Sequence, residues 1–237
     1  MTIRGIVALA LLAFFSIPAS AERLPRIVVP SHYDLAFVVD LERARFEGTE
    51  TIRVQIAQPT SRIVLNAAEI AFRTVTVGTG AAAQQASVVL DARDETATLT
   101  VATPLPRGPI EIRITYTGTL NDQLRGFYLS KANNRNYAIT QFESTDARRA
   151  FPCFDEPDFK ATFAVALTVA RGDSAVSNGR IVSDTPGPGP AQHTLTFSTS
   201  PKMSSYLVAM AVGDFECLQA TTDNIPFPRM RIRYSAD

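Results

Sequence analysis

Hydrophobic and polar residues alternate along most of this chain, the period-two pattern of strands with one face buried and the other in water. Tyr33, Leu35, Phe37 and Val39 alternate with Asp34, Ala36, Val38 and Asp40, while Phe46, Ile52, Val54 and Ile56 keep one parity with Gly48 and Glu50 between them. Gly48 suggests a bulge. The clearest strand sets Ile110, Ile112, Ile114 and Tyr116 against Glu111, Arg113, Thr115 and Thr117, and Gly118 closes it. A second sets Phe159, Ala161, Phe163, Val165, Leu167 and Val169 against Lys160, Thr162, Ala164, Ala166, Thr168 and Ala170. Residues 88–90 and 97–101 flank a polar turn at 91–95, which predicts a hairpin.

Further along, Ser177-Asn178-Gly179 signals a turn, and residues 186–190, Pro-Gly-Pro-Gly-Pro, predict an exposed loop before His193, Leu195 and Phe197 resume alternation. Residues 206–212 form an unbroken apolar run, which predicts a strand buried on both faces. Met230, Ile232 and Tyr234 alternate with Arg231 and Arg233 and predict a last strand whose partner is lacking, as if the chain were cut from a longer protein. Many short strands, regular turn signals and no long amphipathic helix predict an all-β fold, a sandwich or saddle-shaped double β-sheet.

Residues 1–21 stand outside this pattern. Arg4, an apolar run at 6–15 and the Ala19-Ser20-Ala21 site read as a signal peptide that would leave Glu22 as the first mature residue. The apolar run is shorter than the roughly 20 residues of a spanning helix. The expectation is an exported protein, periplasmic or secreted, with no membrane association after cleavage. Residues 22–237 then form the domain, long enough to bury a substantial core.

Charge changes the picture little. Lys plus Arg and Asp plus Glu number 23 each, without a basic stripe, so no nucleic-acid partner is expected. Cys153 and Cys217 are the two cysteines, and an oxidising compartment permits a bridge between them without requiring it. His32 and His193 lie far apart and in no ligand spacing with either cysteine, so no metal site is expected in this chain.

One stretch breaks the alternation, residues 141–157, Gln-Phe-Glu-Ser-Thr-Asp-Ala-Arg-Arg-Ala-Phe-Pro-Cys-Phe-Asp-Glu-Pro. Such departures tend to be functional. Ser144 or Thr145 is placed to cap one helical turn ending at Arg149, Pro152 stops that turn, and Pro157 holds Glu156 extended. The residue chemistry predicts that Arg148 or Arg149 pairs with Asp155 or Glu156 to hold the loop.

This stretch, with Phe159-Lys160-Ala161 after it, resembles the amino-terminal domain signature of the gluzincin zinc aminopeptidases, the family of aminopeptidase N and the puromycin-sensitive enzyme. Flanking pieces agree in order: Pro30-Ser31-His32-Tyr33-Asp34-Leu35, Phe46-Glu47-Gly48, Gly126-Phe127-Tyr128 and Lys202-Met203-Ser204-Ser205-Tyr206-Leu207. The resemblance implies a saddle of β-sheets that precedes a catalytic domain and forms one wall of its cleft. It also implies that Gln141 and Glu143 reach the substrate, a peptide amino terminus, with Glu143 holding the α-ammonium by a charge-assisted hydrogen bond. The family's Gly-x-Met-Glu-Asn and His-Glu-x-x-His motifs are absent from residues 1–237. Zinc would therefore belong to the missing C-terminal catalytic domain, and no catalytic residue is expected in this chain, which would be inactive alone.

Two other readings stand beside this one. A non-catalytic β-sandwich that binds peptides or proteins is compatible with the fold alone. A carbohydrate-active domain using Asp155 and Glu156 is disfavoured, because adjacent residues of an extended chain face opposite ways.

Overall fold

The computed structural model describes the backbone of residues 23–222 and 225–232 and the side chains of residues 23–215. The alternating segments become strands because extended backbone sends every second side chain to one face. In chain order they are β1 (Val28–Asp40), β2 (Arg45–Ile56), β3 (Thr60–Asn66), β4 (Ile70–Val77), β5 (Gln84–Gln85), β6 (Ser87–Asp91), β7 (Thr96–Leu105) and β8 (Gly108–Thr119). There follow β9 (Gly126–Ala132), β10 (Arg135–Gln141), β11 (Thr162–Ala170), β12 (Ser174–Ser177), β13 (Ile181–Pro186), β14 (Gln192–Phe197), β15 (Met210–Gly213), β16 (Phe215–Thr222) and β17 (Ile225–Ile232). Among the described residues, helix is confined to 3₁₀ turns at Gly80–Ala82, Ala147–Arg149 and Ser205–Leu207. None of them is long enough to cross a membrane.

An eight-stranded sheet runs β13-β14-β11-β1-β2-β8-β4-β5, beside a four-stranded sheet β12-β15-β10-β9 and a three-stranded sheet β3-β7-β6. Its centre is antiparallel, β1 to β2 and β2 to β8, and β11 joins the other side of β1 in parallel. The apolar parity of the large sheet faces the two smaller ones. Tyr33, Leu35, Phe37, Ile52, Val54, Ile112, Ile114, Phe163 and Val165 share one buried core with Ile63, Leu65, Leu99, Phe127, Ala138 and Val212 from the smaller sheets. Aromatic contacts tie the layers: Phe37, Phe46 and Phe127 have ring centroids 5.4 to 6.0 Å apart, and Tyr33 stacks on Phe163 at 4.8 Å.

The all-β expectation therefore holds, and so does the hairpin of β6 and β7 around residues 91–95. Four local expectations do not. Gly48 forms no bulge, since β1 and β2 stay in register through the Phe37–Gly48 pair and shift only between Pro30 and His32. Its missing side chain makes room instead: a Cβ there would lie 2.2 Å from Cζ of the buried Tyr116 ring on the neighbouring strand. The apolar run at 206–212 is a 3₁₀ turn followed by the short strand β15, and Leu207 is 48 % exposed, so it is not a strand buried on both faces. Lys160 and Ala161 precede β11 rather than joining it, and Ala161 bridges Met203. The last strand has a partner, because β17 pairs antiparallel with β16 from Thr222–Ile225 to Phe215–Ile232.

Candidate functional site: the irregular loop after the tenth strand

The loop begins where β10 ends. Gln141 is the last residue of β10 and pairs with Gly126, the first of β9. Phe142 is buried against Phe151, their centroids 6.0 Å apart, while Gln141 and Glu143 on either side of it are exposed. Period-two extension thus turns both polar residues outward and uses the phenylalanine between them as the anchor. Among the described residues Glu143 has no hydrogen-bond or ion-pair partner. The Glu143–Ser144 peptide is cis.

Beyond Glu143 the chain folds back. The Asp146 N–H donates to the Phe142 carbonyl at 2.9 Å, and the 3₁₀ turn Ala147–Arg149 follows. Its N-cap is Asp146, without a capping side-chain bond, so neither Ser144 nor Thr145 caps it. The reason is that Asp146 spends its carboxylate on Arg149 Nε, at 2.7 Å.

The two arginines share Glu95 and otherwise have different partners. Arg148 Nε donates to Asp155 Oδ2 at 3.1 Å and its Nη1 to Glu95 Oε2 at 3.2 Å. Asp155 is 1 % exposed and also accepts from the Ser205 hydroxyl at 2.6 Å. Burial pushes its carboxyl up, while Ser205 and Arg148 pull it down. Arg149, 8 % exposed, donates from Nε to Asp146, from Nη1 to Glu69 at 2.5 Å and from Nη2 to Glu95. Opposing carboxylates outweigh desolvation and hold its guanidinium above the usual arginine range.

The expected arginine–carboxylate pairing thus holds for Arg148 with Asp155. It does not hold for Glu156, whose Oε1 accepts the backbone N–H of Leu24 at 2.6 Å. Asp155 and Glu156 therefore have separate structural partners and form no acid–base pair. The sequence reading missed Glu69, Glu95 and Asp146. Two of them arrive from turns before β4 and β7, which no local pattern connects to Arg149.

The loop is stitched to the three-stranded sheet by backbone bonds as well. Asn66 and Cys153 exchange both N–H to carbonyl bonds, at 2.8 and 3.0 Å, and the Asp155 N–H donates to the Asn66 side chain at 3.0 Å. Cys153 is a buried free thiol, pushed up first by burial and then by Asp155 and Glu50. The side chain of Cys217 lies outside the described residues, as do residues 1–21 with their signal-peptide expectation.

Among the described residues no group of three His, Cys, Asp or Glu side chains is placed to hold a metal ion. Both histidines are otherwise engaged: His32 lies between Thr162 and Asp34, and His193 between Asp184 and the Asp173 carbonyl. A groove of about 750 Å³ opens at the other end of β10, between Asp40, Arg45, Arg135, Asp173 and Asp214, and does not include Gln141 or Glu143. Glu143 is exposed and does not line this groove.

Comparison with known proteins concerns the chain as a whole. The Peptidase M1 N-terminal domain matches residues 29–207. A puromycin-sensitive aminopeptidase of Caenorhabditis elegans is 37 % identical, over all of this chain and 26 % of its own length. Aminopeptidase M1-D of Oryza sativa subsp. japonica is 42 % identical over 84 % of this chain and 23 % of its own length. An aminopeptidase N of Acetobacter pasteurianus is 35 % identical over 90 % of this chain and 60 % of its own length. The chain spans about a quarter of the first two relatives.

Proposed function

Because the chain belongs to the Peptidase M1 N-terminal domain family, we propose that it forms the substrate-cleft wall of an exported zinc aminopeptidase, in which Glu143 and Gln141 hold the free amino terminus of a peptide. The observation that carries this reading is the state of Glu143. It is exposed and unpaired among the described residues, yet both cations nearest in sequence, Arg148 and Arg149, are fully engaged elsewhere. A carboxylate kept free of its own arginines is available to an incoming ammonium, and the charge-assisted bond becomes strong once a second wall excludes water. Gln141, exposed on the same side of the extended chain, adds an amide that both donates and accepts.

The described residues offer no donor set for the zinc of such an enzyme. The metal and the residues that work with it belong, in this reading, to the part of the relatives' length that this chain does not span. What this chain contributes is register: it fixes the α-ammonium so that one residue is removed at a time.

With the chain joined to a catalytic region of the M1 family, Glu143→Gln should raise KM for aminoacyl anilides by about tenfold to a hundredfold, the worth of one charge-assisted hydrogen bond. Unchanged kinetics would remove Glu143 from the site. Export rests on the leader at residues 1–21. Amino-terminal sequencing of the protein recovered outside the cytoplasm should begin at Glu22, and a product that starts at Met1 inside the cell contradicts export.

A further inference from the structure

We infer that Arg149 is a positioning residue for peptide amino-terminus recognition: one buried guanidinium fixes the turn that presents Glu143. The inference rests on the reading of Glu143 given above and goes beyond it, since it assigns the cause of that carboxylate's placement. Three carboxylates from three places in the chain converge on this group: Asp146 within the turn, Glu69 before β4 and Glu95 before β7. Glu69 and Glu95 both adopt positive φ, 59° and 50°, a conformation that non-glycine residues take up at a cost. Two residues held in that region both reach this guanidinium, Glu69 while also meeting Arg125 and Glu95 while also meeting Arg148, which makes a built cradle rather than a chance surface pairing.

Arg149 bonds one end of the turn it would fix and packs under the strand that pairs with the other. At the far end its Nε holds Asp146, whose N–H closes the turn onto Phe142. At the near end its stem packs beneath Gly126, the ladder partner of Gln141. Gly126 has φ of +67°, and a Cβ there would come within 2.7 Å of Arg149 Cβ. The span carrying Gln141 and Glu143 is thereby held at Asp146 directly and at Gln141 through Gly126 by one side chain, itself 8 % exposed and anchored on the turns before β4 and β7.

The same contacts explain why Glu143 stays unquenched. Arg149 is saturated by three carboxylates, and Arg148 by Asp155 and Glu95. The guanidinium fork can serve three acceptors in fixed directions, whereas a lysine ammonium is a flexible point charge and would keep the charge while losing the geometry.

Amide hydrogen exchange on the 237-residue chain tests the clamp directly. In Arg149→Lys, the Asp146 amide, which donates to the Phe142 carbonyl, should exchange roughly tenfold faster, while the amides of β1, β2 and β8 keep their protection. Kinetics of the chain joined to an M1 catalytic region test the positioning role. Arg149→Lys should raise KM for substrates with a free α-amine more than it lowers kcat, and should add nothing in an Arg149→Lys/Glu143→Gln double variant. Should Arg149→Lys fail to fold, Asp146→Ala breaks only the link between guanidinium and turn and should give the same two results. Unchanged exchange at the Asp146 amide, or KM effects that multiply with those of Glu143→Gln, would overturn the clamp and leave the reading of Glu143 standing. A Glu143→Gln variant with unaltered KM would instead sink that reading.

Discussion

Replacing Asp155 by alanine should destabilise the chain by about 3–5 kcal/mol, the cost of removing one partner from a buried ion pair. Three donors lose their acceptor at once: the Nε and backbone N–H of Arg148 and the hydroxyl of Ser205. Water cannot easily replace the carboxylate, since Asp155 and Ser205 are each 1 % exposed and Arg148 is 12 % exposed. Arg148 keeps Glu95 as a second partner, which holds the loss below that of a cation stripped bare. Ser205→Ala removes only one bond to a charged group and should cost less, about 1.5–3 kcal/mol. Urea denaturation of the purified chain at neutral pH gives both values. An Asp155→Ala variant within about 1 kcal/mol of the parent, the range of exposed pairs, would show that the loop is not held through this carboxylate.

The cost of losing Asp155 shows what kind of information the sequence carries. Strands with strict alternation, such as residues 110–116, are legible because one buried face requires apolar residues at every second position. The run at 206–212 misleads because apolar residues stand on both parities although Leu207 and Ala209 are exposed. No local rule tells an apolar residue left in water from one buried on a second face. Arg148 with Asp155 is legible since the partners lie seven residues apart in one irregular segment. Arg149 with Glu69 and Glu95 is not, because those partners lie 80 and 54 residues away and meet it only through the packing of three sheets. Gln141 and Glu143 stand out through family resemblance, whereas from residue chemistry alone an exposed glutamate in a loop is unremarked. Glu50 is the reverse case. Its parity among Phe46, Ile52 and Val54 marks it as facing the core, yet nothing in the sequence says what an acid does there.

In the structure Glu50 is 1 % exposed, and among the described residues neither of its oxygens has a hydrogen-bond partner, nor does the hydroxyl of the buried Tyr116. Burial alone pushes its carboxyl well above the ordinary glutamate value of 4.5. Tyr33, Tyr116 and Cys153 are also pushed up, first by their own burial, and a neutral phenol or thiol brings no positive charge to Glu50. The folded chain therefore keeps Glu50 protonated over a range in which the unfolded chain has released that proton. Below the unfolded value both states are protonated and the group is neutral in the balance. As pH rises past that value only the unfolded state ionises, so this residue lowers stability by up to about 1.4 kcal/mol per pH unit until its folded value is reached. Glu50→Gln should abolish that contribution: its stability should match the parent near pH 4 and exceed it by a margin that grows as pH rises above the unfolded value. Glu50→Leu, which also removes the unpaired polar atoms at nearly the same volume, should be more stable than Glu50→Gln by about 1–3 kcal/mol at every pH. Denaturant midpoints of the three proteins between pH 4 and pH 8 decide the matter. Parallel stability curves for parent and Glu50→Gln would mean that Glu50 ionises in the folded chain as readily as in the unfolded one, and that the core beneath Tyr116 is open to water.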